Sequence, residues 1–166
     1  MEVIKQNWIG LIGLIGLCAG IPMSPGIVQN IFNVVALLAL VIYAWRGKND
    51  FFFYLELVVL FGTILKIANV SDVVVAISLV VASLLALAKV FQNPIYRVWY
   101  TSFGLIGLAG LVYGYSTLSN VGYAIGGIAS VIYSFIGYSK GVKSAFIFGV
   151  LNIIYSALAI FMLINH

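Results

Sequence analysis

Residues 73–91 read VVVAISLVVASLLALAKVF, and this stretch decides the fold. Its one ionisable residue is Lys89, close to the end. A helix needs about 20 residues to cross about 30 Å of hydrocarbon. Inside a bilayer only helices and closed barrels satisfy every backbone N–H and C=O. Barrel strands alternate in polarity, and Val73–Phe91 does not. The stretch is a helix in lipid.

Working outward, the whole chain has the same character. It is 64% hydrophobic and 7% charged over 166 residues, against roughly 45–50% and about 25% for a soluble domain. Small soluble domains leave too much surface wet to hide such a composition. Apolar runs bounded by charge, Pro or Gly predict seven spans: Trp8–Ala19, Ile27–Trp45, Phe51–Ile67, Val73–Phe91, Trp99–Tyr115, Val121–Tyr138 and Ala145–Leu163. The expected fold is all-α, a polytopic transmembrane helix bundle of seven helices, or six if the first run does not cross. Residues 1–166 then form a single transmembrane domain. The first run is short unless it continues towards Met23, and Gly20, Pro22, Pro25 and Gly26 interrupt it. A signal peptide is its rival reading, with Lys5, an apolar stretch and small residues near Ala19. Glu2 spoils the positive start, and Leu17 before Cys18 suits a lipoprotein cleavage site poorly.

Charge supplies the orientation. Arg46 and Lys48, Lys89 and Arg97, and Lys140 and Lys143 fall in three alternate loops, and Lys5 falls on the same side. The opposite loops hold only Lys66, offset by Asp72. The positive-inside rule puts the N-terminus and basic loops in the cytoplasm of an inner or plasma membrane, with His166 outside. Trp8, Trp45, Trp99, Phe51, Phe52, Phe53 and Tyr54 fall at span ends, where amphipathic rings anchor in the headgroup layer. Basic residues scattered singly or in pairs do not make a nucleic-acid footprint.

A repeat is legible as well. Gly10-Leu11-Ile12-Gly13-Leu14-x-Gly16-Leu17 recurs as Gly104-Leu105-Ile106-Gly107-Leu108-x-Gly110-Leu111, about 94 residues on. At that shift Arg46-Gly47 falls on Lys140-Gly141 and Ala36 on Ser130. Two three-helix repeats, 8–67 and 99–163, would be joined by a linker helix, 73–91. Because the linker reverses direction, both triplets point the same way, an arrangement that builds transporters around a central site. Phe-Gly pairs at Phe61, Phe103 and Phe148 offer a rival register of hairpins.

Few side chains can carry chemistry. Glu56 is the one acid well inside a span. A carboxylate in hydrocarbon costs several kcal/mol, so it faces a partner, water or a substrate path. An interfacial ion pair with Arg46 or Lys48 competes with a functional role. Asn152 sits mid-span with Tyr155 on the same face, three residues on; helix glue and substrate contact both suit it. Asn33, with Asn30, opens span two, and Ser130 and Ser134 face inward from span six in this reading. The glycines at 104, 107, 110, 126 and 127 predict close helix approach. Tyr113, Tyr115, Tyr123, Tyr133 and Tyr138 enrich the later half in phenols.

Enzyme signatures are absent. The one histidine is His166, the one cysteine is Cys18, and the four acids are widely spread. That leaves no histidine triad, no metal cluster, no disulfide and no implied cofactor. No phosphate-binding loop is present either.

The segment Gly126-Gly127-Ile128-Ala129-Ser130-Val131-Ile132-Tyr133, then Lys140, then Phe148-Gly149-Val150-Leu151-Asn152-Ile153-Ile154-Tyr155 resembles the Pnu family of vitamin transporters. In that family a small-residue helix, a short basic loop, a Phe-Gly and an Asn-x-x-Tyr occur in similar succession. The resemblance covers about 121–161. It implies a seven-helix, three-plus-one-plus-three plan, shared with the related sugar facilitators, and gives Asn152 and Tyr155 the best claim to substrate contact. The Trp-x-x-Trp-Asn pattern of nicotinamide riboside carriers and the Pro-Gln pair of sugar facilitators are both missing. Two functions follow as expectations. One is a facilitator-type transporter for an uncharged or weakly charged polar metabolite, using Asn152, Tyr155, Asn33, Ser130 and Glu56. The other is a non-transporting subunit or immunity-type protein bound to a membrane partner or to its own copies, or a substrate-binding subunit of a larger transporter. A polar cavity favours the first; a solid bundle with an exposed glycine face favours the second.

Overall fold

Every apolar run becomes a helix, since helical hydrogen bonds alone satisfy the backbone where side chains offer none. The computed structural model describes residues 2–20, 27–117 and 119–165, with side chains over 7–19, 28–114, 117 and 119–165. Among the described residues there are seven α-helices and no strand. They are α1 (Glu2–Gly20), α2 (Ile27–Arg46), α3 (Asp50–Ile67), α4 (Asp72–Val90), α5 (Thr101–Thr117), α6 (Asn120–Ser139) and α7 (Ala145–Ile164). A 3₁₀ turn, Pro94–Tyr96, joins α4 to α5. The first helix is longer than expected because it grows backwards to Glu2. Its continuation towards Met23, the breakers Pro22, Pro25 and Gly26, the Tyr115 side chain and His166 lie outside the described residues.

Four helices are long and apolar enough to cross a membrane: Val28–Arg46, Asp72–Val90, Asn120–Ser139 and Ala145–Ile164. Shorter apolar cores run over Asn7–Ala19 and Thr101–Gly114. Between them, α3 carries Asp50, Glu56 and Lys66. The outer surface is apolar too, with Ile15, Val73, Ile77, Leu84 and Leu85 exposed. Helices that are apolar all round belong in a core or in lipid, and these side chains have no protein over them.

Contacts order the helices. Neighbours α1 and α2, α2 and α3, α5 and α6, and α6 and α7 pack together. The two sets of three meet through α1 on α7 and α3 on α5, while α4 bridges α3 and α5. Exchanging α1 with α5, α2 with α6 and α3 with α7 leaves the contacts among those six helices unchanged, whereas α4 sits against α3 and α5 alone among the stronger contacts of the described residues.

The loops on one end are tied together. Asn49 caps α3 by accepting from the Phe52 backbone N–H, and its amide donates to Ser144 Oγ at the start of α7, 3.2 Å away. The Asp50 backbone N–H donates to the Tyr96 hydroxyl at 2.9 Å, which fixes the α4–α5 connection beneath α3. Burial there holds the Tyr96 phenol above its ordinary range, and the Asp50 carboxylate adds to the shift. Arg46, Lys48, Lys89, Arg97, Lys140 and Lys143 all lie near this end with exposed side chains. Trp8, Trp45 and Trp99 are exposed beside them, as anchors in a headgroup layer should be. Phe51 and Phe52 are not such anchors. They are 3% and 0% exposed, because the tied loops roof over the first turn of α3 and turn its rings into the core.

Candidate functional site: a cavity between α3 and α7

Facing residues of α3 and α7 leave a small cavity of about 30 Å³, room for one or two water molecules. Leu55, Glu56 and Val59 line it from α3, and Leu151, Asn152 and Tyr155 from α7. Leu17, Leu37 and Leu111 close it from α1, α2 and α5. Six residues of helix separate Glu56 from the start of α3, about 9 Å of rise. The cavity therefore lies well inside the bundle.

Its polar groups are few. Glu56 is 4% exposed and makes no hydrogen bond or ion pair to any described side chain or backbone group. Arg46 and Lys48, the expected partners, are exposed at the loop instead. The interfacial ion pair is thus replaced by a buried carboxyl that opens on the cavity. Asn152 donates one amide hydrogen to the Phe148 carbonyl of its own helix at 2.8 Å. That carbonyl is one turn back, the usual mid-helix outlet for a short polar side chain, and the rest of the amide stays with the cavity. Tyr155 meets the Tyr123 ring edge-on, with centroids 5.4 Å apart, which holds the phenol in place.

One turn nearer the basic end, the cavity has a floor. Phe52 lies one turn before Glu56, and Phe148 one turn before Asn152. Their rings stack with centroids 4.1 Å apart and planes within 2°. Tyr133 and Phe51 pack against Phe52, and Tyr43 packs against Phe148. The Asn49–Ser144 hydrogen bond lies beneath this layer. Two phenylalanines meeting face to face from facing helices are what equivalent positions would do across a two-fold axis.

The sequence register agrees with this geometry. The loop after α6 is two residues longer than the loop after α2. A shift of about 94 residues up to that loop therefore becomes about 96 beyond it. At the longer shift Phe52 falls on Phe148, Leu55 on Leu151, Glu56 on Asn152 and Val59 on Tyr155, while Leu17 falls on Leu111 at the shorter one. Eight of the nine lining residues thus come in matched pairs, leaving Leu37 alone. Helix crossings match as well. A Cβ on Gly13 would collide with the Ala36 carbonyl and with Leu40, and one on Gly107 would collide with Ser130.

Of the residues singled out from sequence, Glu56, Asn152 and Tyr155 come together around one cavity. Ser130 and Asn33 do not join them. Ser130 is 1% exposed and packs against Gly107 on α5, with its hydroxyl unpartnered. Asn33 is half-buried on α2, one turn beyond the lining residue Leu37. Ser134 is spent on the Ser130 carbonyl at 2.6 Å. The leucines of the lining and the stacked phenylalanines carried no sequence signal of their own; the longer shift would have found them.

No protein-family profile matches the chain, nor does any curated protein or any solved structure. The resemblance to Pnu carriers rests on the residues that carry it.

Proposed function

We propose that the chain is a small multi-pass membrane transporter of the facilitator type, moving an uncharged or weakly charged polar metabolite. The observation that carries the reading is the cavity of Glu56, Asn152 and Tyr155 on the line where the two helix triplets meet. Matched lining residues and matched contacts support an internal duplication, 8–67 and 99–163 with α4 as the linker. The same triplet–linker–triplet plan is what a resemblance to Pnu carriers implies.

A site between two like halves suits alternating access, since rocking one triplet against the other opens it to either side. In this arrangement the stacked Phe52–Phe148 pair and the Asn49–Ser144 bond close the path towards the basic end. The positive-inside rule assigns that end to the cytoplasm of an inner or plasma membrane. The partner-binding alternative calls for an exposed glycine face. Gly104, Gly107, Gly110 and Gly126 are instead covered by Phe51, Ser130 and one another, which favours transport.

The test is uptake by vesicles reconstituted with the full chain, screened across sugars and vitamins. Uptake that disappears on Asn152→Leu is the expected result. No uptake at all, with stable co-purification of a second membrane protein, overturns the proposal.

A further inference from the structure

On the flank turned away from the cavity, α3 meets α4 along an open groove of about 250 Å³. Tyr54, Leu57 and Phe61 line it from α3, and Ala82, Leu85 and Lys89 from α4. Seven residues separate Tyr54 from Phe61, and seven separate Ala82 from Lys89, about 10 Å of helix rise. The short loop between α3 and α4 makes them antiparallel, so Tyr54 and Lys89 share one end and Phe61 and Ala82 the other. Lys89 stands in the last turn of α4, at the basic end. One leaflet of hydrocarbon is about 15 Å deep. The groove therefore starts at the headgroup level and stops short of the bilayer centre. Along that length its walls are apolar, and Phe61 and Leu85 are exposed on its outer side.

The mouth of the groove differs from its walls. Lys89 is exposed there, with the half-buried Tyr54 beside it. Arg97 folds back from the α4–α5 connection, and its Nε–H donates to the Phe91 carbonyl at 2.9 Å, two residues past Lys89. That bond fixes a second cation at the same helix end and uses one of its five N–H donors. Neither cation forms an ion pair with a carboxylate among the described side chains. Asp50, at the same end of α3, accepts from the Asn93 amide at 3.4 Å instead. Trp99, exposed close by, anchors this level in the headgroup layer. Two cations above an apolar slot complement an anion that carries a hydrocarbon chain. Dissolved phosphate would meet the cations and leave the slot empty. A zwitterionic lipid would fill the slot and bring its own cation to the mouth.

We infer that the α3–α4 groove binds an anionic phospholipid, one acyl chain lying in the slot and the phosphate meeting Lys89 and Arg97. This site is separate from the α3–α7 cavity and does not depend on the transport reading. Each Lys or Arg near the headgroup layer favours an anionic lipid about fivefold. With Asp50 counted against the two cations, the net preference is on the order of tenfold.

The experiment is native mass spectrometry of the full chain in detergent, with equal amounts of phosphatidylglycerol and phosphatidylcholine of the same chain length. The protein should retain phosphatidylglycerol on the order of tenfold more. Lys89→Gln, at an exposed side chain, should cut that preference about fivefold. Lys140→Gln changes an exposed cation at the same end but away from the groove, and should leave the preference unchanged. Ala82→Phe fills the slot and should lower phosphatidylglycerol retention without touching either cation. Added inorganic phosphate should displace nothing. Equal retention of the two lipids overturns the inference. So does an equal loss from Lys140→Gln and Lys89→Gln, because the charge of the whole end would then be the cause. Displacement by inorganic phosphate, or full retention by a folded Ala82→Phe, also overturns it, since the acyl chain would then have no place in the slot. If Ala82→Phe does not fold, the two lysine variants decide.

Discussion

The helices α3 and α7 face each other across one cavity and fill matched positions with different chemistry. Where α3 places Glu56 and Val59, α7 places Asn152 and Tyr155. The layer beneath carries the same residue on both sides, Phe52 against Phe148. Under the proposed duplication, the frame positions are alike and the site positions differ. In the transport reading proposed above, a symmetric frame would let two halves rock about a common line, and an asymmetric lining would let one solute bind in one orientation. The difference separates what the helices need in order to pack from what a ligand would need.

The comparison breaks most readily at the helix crossings. At the α5–α6 crossing a Cβ on Gly126 would lie 2.6 Å from the Leu111 backbone nitrogen and 2.9 Å from the Gly110 carbonyl carbon. Backbone cannot step aside, so Gly126→Leu should cost more than the roughly 1–3 kcal/mol of ordinary overpacking. The expected result is loss of monodisperse protein in detergent. Gly13→Leu meets the Leu40 side chain, which can move, and one backbone atom, the Ala36 carbonyl oxygen at 2.9 Å, so this variant should be the less damaging of the two and survive extraction with a lowered Tm. Equal loss for both would mean that the two crossings are equally rigid.

A middle-sized effect belongs to the stacked rings. Phe148 is 0% exposed, and Phe→Ala in a soluble core costs about 3–5 kcal/mol. In lipid the hydrophobic share falls away and packing remains, so Phe148→Ala should cost on the order of 1–3 kcal/mol. Phe52→Ala should match it within about 0.5 kcal/mol if the two positions are equivalent. Thermal unfolding in detergent measures both, and a large gap between them would argue against equivalence.

The smallest effect is the most informative. Exchanging the two site residues, Glu56→Asn with Asn152→Glu, keeps the same groups in the cavity and moves each across the line between the halves. The double variant should unfold within about 0.5 kcal/mol of the parent, with each single change costing more than the pair. A double variant less stable than both singles would show that α3 and α7 are not interchangeable there.

Much of this was legible in the residues, and the rest was hidden for physical reasons. The seven helices, four of them long and apolar enough to cross a membrane, and the exposed tryptophans follow from hydropathy and position. Phe51 and Phe52 were misplaced because a span end reads as a headgroup position unless a tied loop covers it. Leu17, Leu37 and Leu111 could not be told from lipid-facing leucines, since a helix apolar on every side has no inward face to detect. Glu56 stood out because hydrocarbon tolerates so few carboxyls, yet its lack of a partner needed the packed neighbours to be seen. The match between α3 and α7 was masked by two extra residues in one loop.

The bridging helix carries a separate consequence. Protein covers only one narrow seam of α4, through Val75, Leu79, Ser83, Ala86 and Val90, and the remaining flank is open. Drift in amino-acid identity should be cheap over that open flank, provided each replacement is oily. Losing the helix altogether is another matter, because in the seven-span arrangement proposed above the three that follow would enter the bilayer upside down. For this segment, natural variation is constrained by parity and span more than by spelling.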